Sequence, residues 1–286
     1  MGEWTLDYPG TSFSFGSRAS GFGFRTAPDL GTRNVTAEDF TVPGGDGRVF
    51  GQDTIDPDVI SFQLLVNENT PAEARALRER ALNAWRGDVT RRQPGAVAML
   101  TSDTGRATFG RPRRISPVSD LLYAGIVDLI ADFQPVTDLW FGPEESARVG
   151  LVPAPGGGLV APLAAPLATT ESSDRSQGLL VGGELDAWPV AKITGPITNP
   201  VVDVLGAFRW EFRLSLAYDE QLVIDTRPWV RSILRNGASA AGSLTPSSTR
   251  LAASVLPAGA HEFTLRGVTT GTPSLQLAWR SAFTTP

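Results

Sequence analysis

The sequence predicts a mainly β protein built as two domains. Three observations carry that expectation. Apolar residues alternate at period two in many short runs. Thirty glycines and 22 prolines punctuate those runs. A stretch without periodicity, 153–170, is rich in proline and glycine and separates two such series of runs. The expected layout is a β domain with one helix over 1–152, a linker or extended arm over 153–170, and an antiparallel β-sandwich over 171–286. A chain of 286 residues is long enough for two ordinary cores.

In the first domain, Trp4 and Leu6, then Phe13 and Phe15, alternate with polar neighbours around a Pro9-Gly10 turn, which predicts two short strands. Gly21-Phe22-Gly23-Phe24 reads as an edge or loop, because no helix follows to make a phosphate cradle. Gly44-Gly45-Asp46-Gly47 marks a turn leading into Arg48-Val49-Phe50. Asp53, Asp56 and Asp58 lack the spacing and terminal glutamate of a calcium loop and read as solvated carboxylates. Ile60, Phe62, Leu64 and Val66 alternate as a half-buried strand.

One helix is expected. Thr70 is its N-cap, Pro71 its first residue, Glu73 completes a capping box and Gly87 ends it. Leu77, Ala81, Ala84 and Trp85 share one face. Further strands are predicted at 96–100 and 107–115, and one long strand over 122–133, with Val127, Leu129, Ala131 and Phe133 facing inward. Gly110-Arg111-Pro112-Arg113-Arg114 is the one basic cluster. Without aromatic interleaving it reads as a solvated or inter-subunit face. Leu139-Trp140-Phe141 closes the domain, and the adjacent Glu144 and Glu145 do not resemble paired glycosidase carboxylates.

In the second domain a strand over Trp188–Ile193 runs into a turn at Gly195-Pro196, and another leaves over Val201–Leu205, with Gly-Pro and Asn199-Pro200 fixing the bend. Phe208, Trp210, Phe212, Leu214 and Leu216 form the clearest alternation in the chain. Leu222-Val223-Ile224, then Ile233-Leu234-Arg235 meeting Asn236-Gly237, predict a hairpin whose turn residues tolerate positive φ. Leu251–Leu256, Phe263 with Leu265, and Leu275 with Leu277 and Trp279 supply the remaining strands.

Composition excludes several chemistries. Hydrophobic residues at 41% and charged residues at 19% describe a folded chain, not a disordered one. A net charge of −5 leaves no basic footprint for nucleic acid or anionic lipid. The single lysine, Lys192, against a large arginine content suggests a GC-rich coding genome. Without cysteine there are no disulfides, thiolate metal sites or cysteine nucleophiles. The one histidine, His261, reads as a satisfied structural residue, and Asp225-Thr226 has no nucleophile motif to orient. No signal peptide, myristoylation signal or apolar run of about 18 residues is read, so cytoplasmic synthesis without membrane insertion is expected. No catalytic, cofactor-binding or metal-binding residue is expected.

An ordered set of motifs carries a family resemblance. Trp188-Pro189-Val190, Ile193-Thr194-Gly195-Pro196 and Asn199-Pro200 come first, followed by Leu222-Val223-Ile224-Asp225-Thr226 and Asn236-Gly237. Leu256-Pro257-Ala258-Gly259-Ala260-His261 and Leu277-Ala278-Trp279-Arg280 complete the series. Together they resemble the second domain of siphophage distal tail proteins, particularly minor tail proteins of actinobacterial phages. Pro28-Asp29-Leu30-Gly31, Asp46-Gly47, Gly51-Gln52-Asp53, the helix and Gly110–Arg114 are similar to that family's ring domain.

The resemblance implies a non-enzymatic virion protein of the tail tip, assembled in the host cytoplasm. Its first domain would form a homo-hexameric ring and its second a galectin-like sandwich projecting outward. It implies contacts with the tail tube protein, a tail-associated hub protein, and the tape measure and other minor tail proteins, with no cofactor. A carbohydrate-binding module stacking sugars on Trp188, Trp229 or Trp279 is the alternative reading. A glycosidase or peptidase is disfavoured, since the chain lacks a histidine pair, cysteine and a convincing carboxylate pair.

Overall fold

The structure is a computed structural model that describes residues 2–32, 34–151 and 176–286. Strand makes up 51% and helix 12% of it, so the chain is mainly β as expected. It divides into two compact units: Met1–Phe141 with Phe283–Pro286, and Gly142–Ala282. The expected 153–170 connector lies outside the described residues.

The first unit opens with β1 (Trp4–Tyr8) and β2 (Thr11–Phe15), paired around Gly10, whose φ of 82° suits the tight turn. β3 (Gly23–Phe24) follows. A long excursion then carries four short strands, β4 (Asn34–Thr36), β5 (Phe40–Thr41), β6 (Arg48–Val49) and β7 (Thr54–Asp56). β8 (Ile60–Asn67) buries Ile60, Phe62, Leu64 and Val66 and leaves Gln63 and Asn67 exposed, the alternation the sequence predicts.

Helix α1 (Pro71–Arg86) is capped by Thr70, whose hydroxyl accepts the Glu73 N–H at 3.3 Å and donates to the Glu73 carboxylate at 2.8 Å. Gly87, with φ 56°, ends it, and a short helix α2 (Asp88–Arg91) follows. β9 (Ala98–Thr101), β10 (Ala107–Leu121) and β11 (Ile126–Pro135) complete the series, and β12 (Trp140–Gly150) begins in this unit and belongs to the second from Gly142 onward.

These strands close on themselves. Neighbours run β2, β1, β9, β10, β11, β8, β3, and a parallel bridge between Gly16 and Gly23 returns β3 to the end of β2. β10 turns the corner: its start pairs with β9 and its remainder with β11. Inside lie Trp4, Phe13, Phe15, Phe62 and Phe133, with the helix contributing Ala81, Ala84 and Trp85. Trp85 meets Phe15, Phe62 and Phe13 edge-on at 5.7, 6.0 and 6.4 Å, and its indole N–H donates to the Asp132 carbonyl at 2.9 Å. The last residues also belong here, with Arg106 lying over the Phe283 ring at 3.6 Å.

Two expectations shift in this unit. The predicted strand over 122–133 begins instead with a 3₁₀ turn at Leu122–Ala124, and β11 starts at Ile126 after Gly125, whose φ is 74°. The strand predicted over 107–115 does not stop there but runs on as β10 through Pro117 to Leu121. The ladder slips between Pro112 and Ile115 and between Pro117 and Ser119, so the missing N–H groups fall at irregularities.

The second unit is a sandwich of two sheets. It adds β13 (Gln177–Val181), β14 (Val190–Thr194), β15 (Ile197–Val204), β16 (Phe208–Glu211), β17 (Ser215–Leu216), β18 (Gln221–Asp225), β19 (Ser232–Arg235), β20 (Ala238–Ser239), β21 (Gly259–Val268) and β22 (Ser274–Phe283). One sheet orders β22, β14, β18, β19 and β20, and the other β13, β21, β15 and β16, with β17 also on β15. Ile193, Ile224 and Leu277 from the first sheet meet Val202, Trp210 and Phe263 from the second. The Trp210 indole N–H is satisfied by Ser254 Oγ at 2.9 Å. Asn236 (φ 47°) and Gly237 (φ 84°) form the predicted hairpin turn.

Three readings need correction. The period-two run Phe208–Leu216 is not one strand but β16 and β17. Asn199 (φ 49°) bulges out of β15, the register shifts between Thr198 and Val201, and the partner leaves the regular ladder. Asn199-Pro200 therefore lies within a strand and does not form a corner. Leu251–Ala253 is a 3₁₀ turn, with Leu256 alone bridging to Ala187.

Gly195 does sit at the predicted turn. A Cβ there would lie 2.1 Å from the Ala217 carbonyl oxygen, which is backbone and cannot swing away. Gly195→Ala should cost the second unit about 1–3 kcal/mol. An unchanged denaturation midpoint in urea would contradict this packing.

Candidate assembly surfaces

Among the described residues there is no group of three or more His, Cys, Asp or Glu arranged to hold a metal. Among the same residues no helix is long and apolar enough to cross a membrane. The residues singled out by sequence are dispersed. Asp58 accepts the Val59 N–H at 2.7 Å and the Thr32 N–H at 3.2 Å, and those bonds hold its carboxyl below the usual range. Asp56 accepts from the Thr36 hydroxyl at 3.3 Å, in the β4–β7 ladder. Glu144 and Glu145 are both exposed on β12. Glu144 lies 3.5 Å from Arg280, and Glu145 accepts from the Ser281 hydroxyl at 3.1 Å.

His261 Nε2 lies 2.8 Å from the Pro257 carbonyl, as a structural role requires. Asp225 shapes a turn: it accepts from the Arg227 backbone N–H and is gripped by that residue's guanidinium at two points. Asp225 and His261 stand on different sheets, β18 and β21. Trp279 is 5% exposed and Trp188 packs edge-on against Trp229 at 6.0 Å, so the three do not share an open stacking face. A recess of about 290 Å³ in the first unit is lined by Asp58, Asp138, Thr108 and Trp140 among others. It gathers no histidine, lysine or third ligand.

What the surface does carry is unburied apolar side chains on projecting β structure. Residues 34–56 form one long hairpin. β4 pairs with β7 at its base, placing Val35 opposite Ile55; β5 pairs with β6 near its tip, placing Phe40 opposite Val49. The turn follows from local chemistry, since Gly44 and Gly47 take φ of 74° and 113°. Gly51 allows the strands to close, because a Cβ there would fall 2.0 Å from the Glu38 carbonyl oxygen.

No residue of this hairpin's four strands is buried. Phe50 is 80% exposed and Phe40 58%. Two-stranded ribbons without a covered face are marginal in water, and large apolar side chains on one mark an interaction site. Carboxylates dominate its charge: Glu38, Asp39, Asp46, Asp53 and Asp56 stand against Arg48 alone. A second exposed tip, where β10 turns into β11, presents Val118, Leu121 and Tyr123. Sequence reading found the Gly44–Gly47 turn and missed the hairpin around it. The usable signal was Phe40, Val49 and Phe50 flanking a glycine turn in a stretch where five carboxylates face one arginine.

Ion pairs stiffen the second unit. The Arg235 guanidinium grips Glu220 at 3.1 and 2.5 Å, and the Ala217 amide adds a bond at 2.8 Å. Both hold the Glu220 carboxyl below its usual range. Ser247 and Arg209 do the same for Glu211. A carboxyl depressed by folding stabilises the folded state above its unfolded pKa, and that contribution disappears as pH falls through the folded value. Acid should therefore loosen this unit below about pH 4. Glu220→Gln should flatten the acid limb of a Tm-against-pH curve; an unaltered limb would contradict the assignment.

No protein-family model matches this chain, and no curated protein does. Its fold matches solved structures of phage tail components. The Dit protein of phage SPP1, described as a paradigm of the hub adsorption apparatus in phages infecting Gram-positive hosts, aligns with a TM-score of 0.60 and 14% identity. The alignment covers 98% of this chain and 99% of that one. A chain of the phage P2 baseplate in its activated conformation with Ca aligns with a TM-score of 0.52 and 14% identity, over 96% and 97% of the two chains. The activated P2 baseplate with Sr gives 0.52 at 11% identity over the same shares.

Proposed function

We propose that this chain is a non-enzymatic structural subunit of a phage tail tip. In this reading it forms a homo-hexameric ring through its first unit and joins the tail tube to the hub or baseplate. The second unit, a galectin-like sandwich, faces outward. The observation that carries the reading is the end-to-end likeness to the SPP1 Dit fold, which covers 98% of this chain and so includes both units. A match to one sandwich would have said little, because sandwiches host many functions.

The surface chemistry supports the same reading. Among the described residues the dispersed carboxylates and the single histidine form no nucleophile–base pair, while the exposed hairpin suits burial against neighbours. The partners are other copies of the chain, the tail tube protein, the hub protein, and the tape measure and other minor tail proteins. The setting is the virion, after assembly in the host cytoplasm. Gold-labelled antibody against the chain should mark one end of intact tails, distal to the capsid. Label along the shaft, or on the capsid, would overturn the proposal.

A further inference from the structure

We propose that the acidic hairpin of one copy docks on the Arg113-Arg114 bulge of the next, forming a charge clasp between subunits. The proposal rests on the ring reading above and names the contact that would close it.

The two halves of the clasp are each left unsatisfied within one molecule. Glu38, Asp46 and Asp53 are exposed on the hairpin and have no ion-pair or hydrogen-bond partner among the described residues. The hairpin's other carboxylates are occupied: Asp39 pairs with Arg48 at 3.6 Å, and Asp56 holds the Thr36 hydroxyl. Arg113 and Arg114 are exposed and likewise have no partner among the described residues.

The backbone presents those arginines. The β10–β11 register breaks between Pro112 and Ile115, so the pair falls in the irregular segment, outside the regular ladder. Arg111 anchors the segment: its guanidinium donates to the Ala96 and Gln93 carbonyls, both at 2.7 Å. The preceding arginine is thus spent on positioning, and the two that follow remain free. In a chain of net charge −5 this is a local concentration of positive charge, and the hairpin is a local concentration of negative charge.

Both features belong to the first unit, and neither neutralises the other within it. Pairing between copies satisfies both. It is also heterologous, one patch against a different patch, which is the kind of contact that generates a ring when the rotation closes. Phe40 and Phe50 add an apolar anchor beside the charges, so the contact gains area as well as steering.

The test is sedimentation velocity on the full-length chain at about 0.1 M salt, where screening acts beyond roughly 10 Å. Arg113→Glu with Arg114→Glu should weaken assembly roughly thirty- to hundredfold, because attraction becomes repulsion at two sites. Glu38→Arg, Asp46→Arg and Asp53→Arg together should do the same. The variant carrying all five changes should recover assembly, and Arg113→Lys with Arg114→Lys should retain it. These positions are exposed, and unchanged circular dichroism would establish that each variant is folded. If the wild type assembles and the charge-reversed variants assemble equally well, the clasp is wrong and the ring reading stands. A folded wild type that stays monomeric at every concentration would overturn the ring reading itself.

Discussion

Trp85→Ala should destabilise the first unit by about 4 kcal/mol, the middle of the range for emptying a large aromatic site. Trp85 is 1% exposed and fills the space between α1 and the strands, touching three phenylalanines. Its indole N–H also ties the helix to β11 through the Asp132 carbonyl. Alanine removes the ring contacts and leaves that carbonyl to find another donor. Domains are commonly stable by only about 5–15 kcal/mol, so the loss consumes much of the total. Hydrogen exchange gives the readout: amides of β8 and β11 should lose protection while those of β14 and β15 keep theirs. Uniform loss in both units, or none in either, would contradict the division into two cores.

The second large effect concerns assembly and leaves folding alone. Phe40→Ser with Phe50→Ser should weaken self-association about a thousandfold, taking roughly 2 kcal/mol for each aromatic anchor at a tenfold change per 1.4 kcal/mol. Both rings face solvent in the single chain, so the melting temperature should hardly move. A drop in stability without a change in association would mean that these side chains serve the hairpin itself. Unaltered association would place the contact elsewhere, with the Val118–Tyr123 tip as the next surface to examine.

Much of this architecture was legible because its signals are local. The Ile60–Val66 alternation, the Thr70 cap with Pro71 behind it, and Asn236-Gly237 each encode their own geometry, and the structure holds them as read. The failures were non-local. Nothing in Phe283–Pro286 says that it packs with the first unit, because that contact is set by Arg106, far away in sequence. The strand read over 107–115 stops short, because the register slips that carry β10 on through Pro117 to Leu121 are set by its pairing with β11. The alternation through Phe212 suggests one strand until the Asn199 bulge interrupts its partner.

The surfaces were harder still. A two-stranded ribbon buries nothing of its own, so residues 34–56 show no hydrophobic period to find. The Arg113-Arg114 pair was visible as charge and as a candidate inter-subunit face. That it has no carboxylate partner among the described residues is a property of the folded chain alone.

The central claim, that this chain is a ring-forming tail subunit, is tested most directly by native mass spectrometry of the full-length protein at micromolar concentration. The account predicts a discrete hexamer that falls apart in rising salt without unfolding. A single monomer peak across concentration and ionic strength, from protein that is folded by circular dichroism, would contradict it.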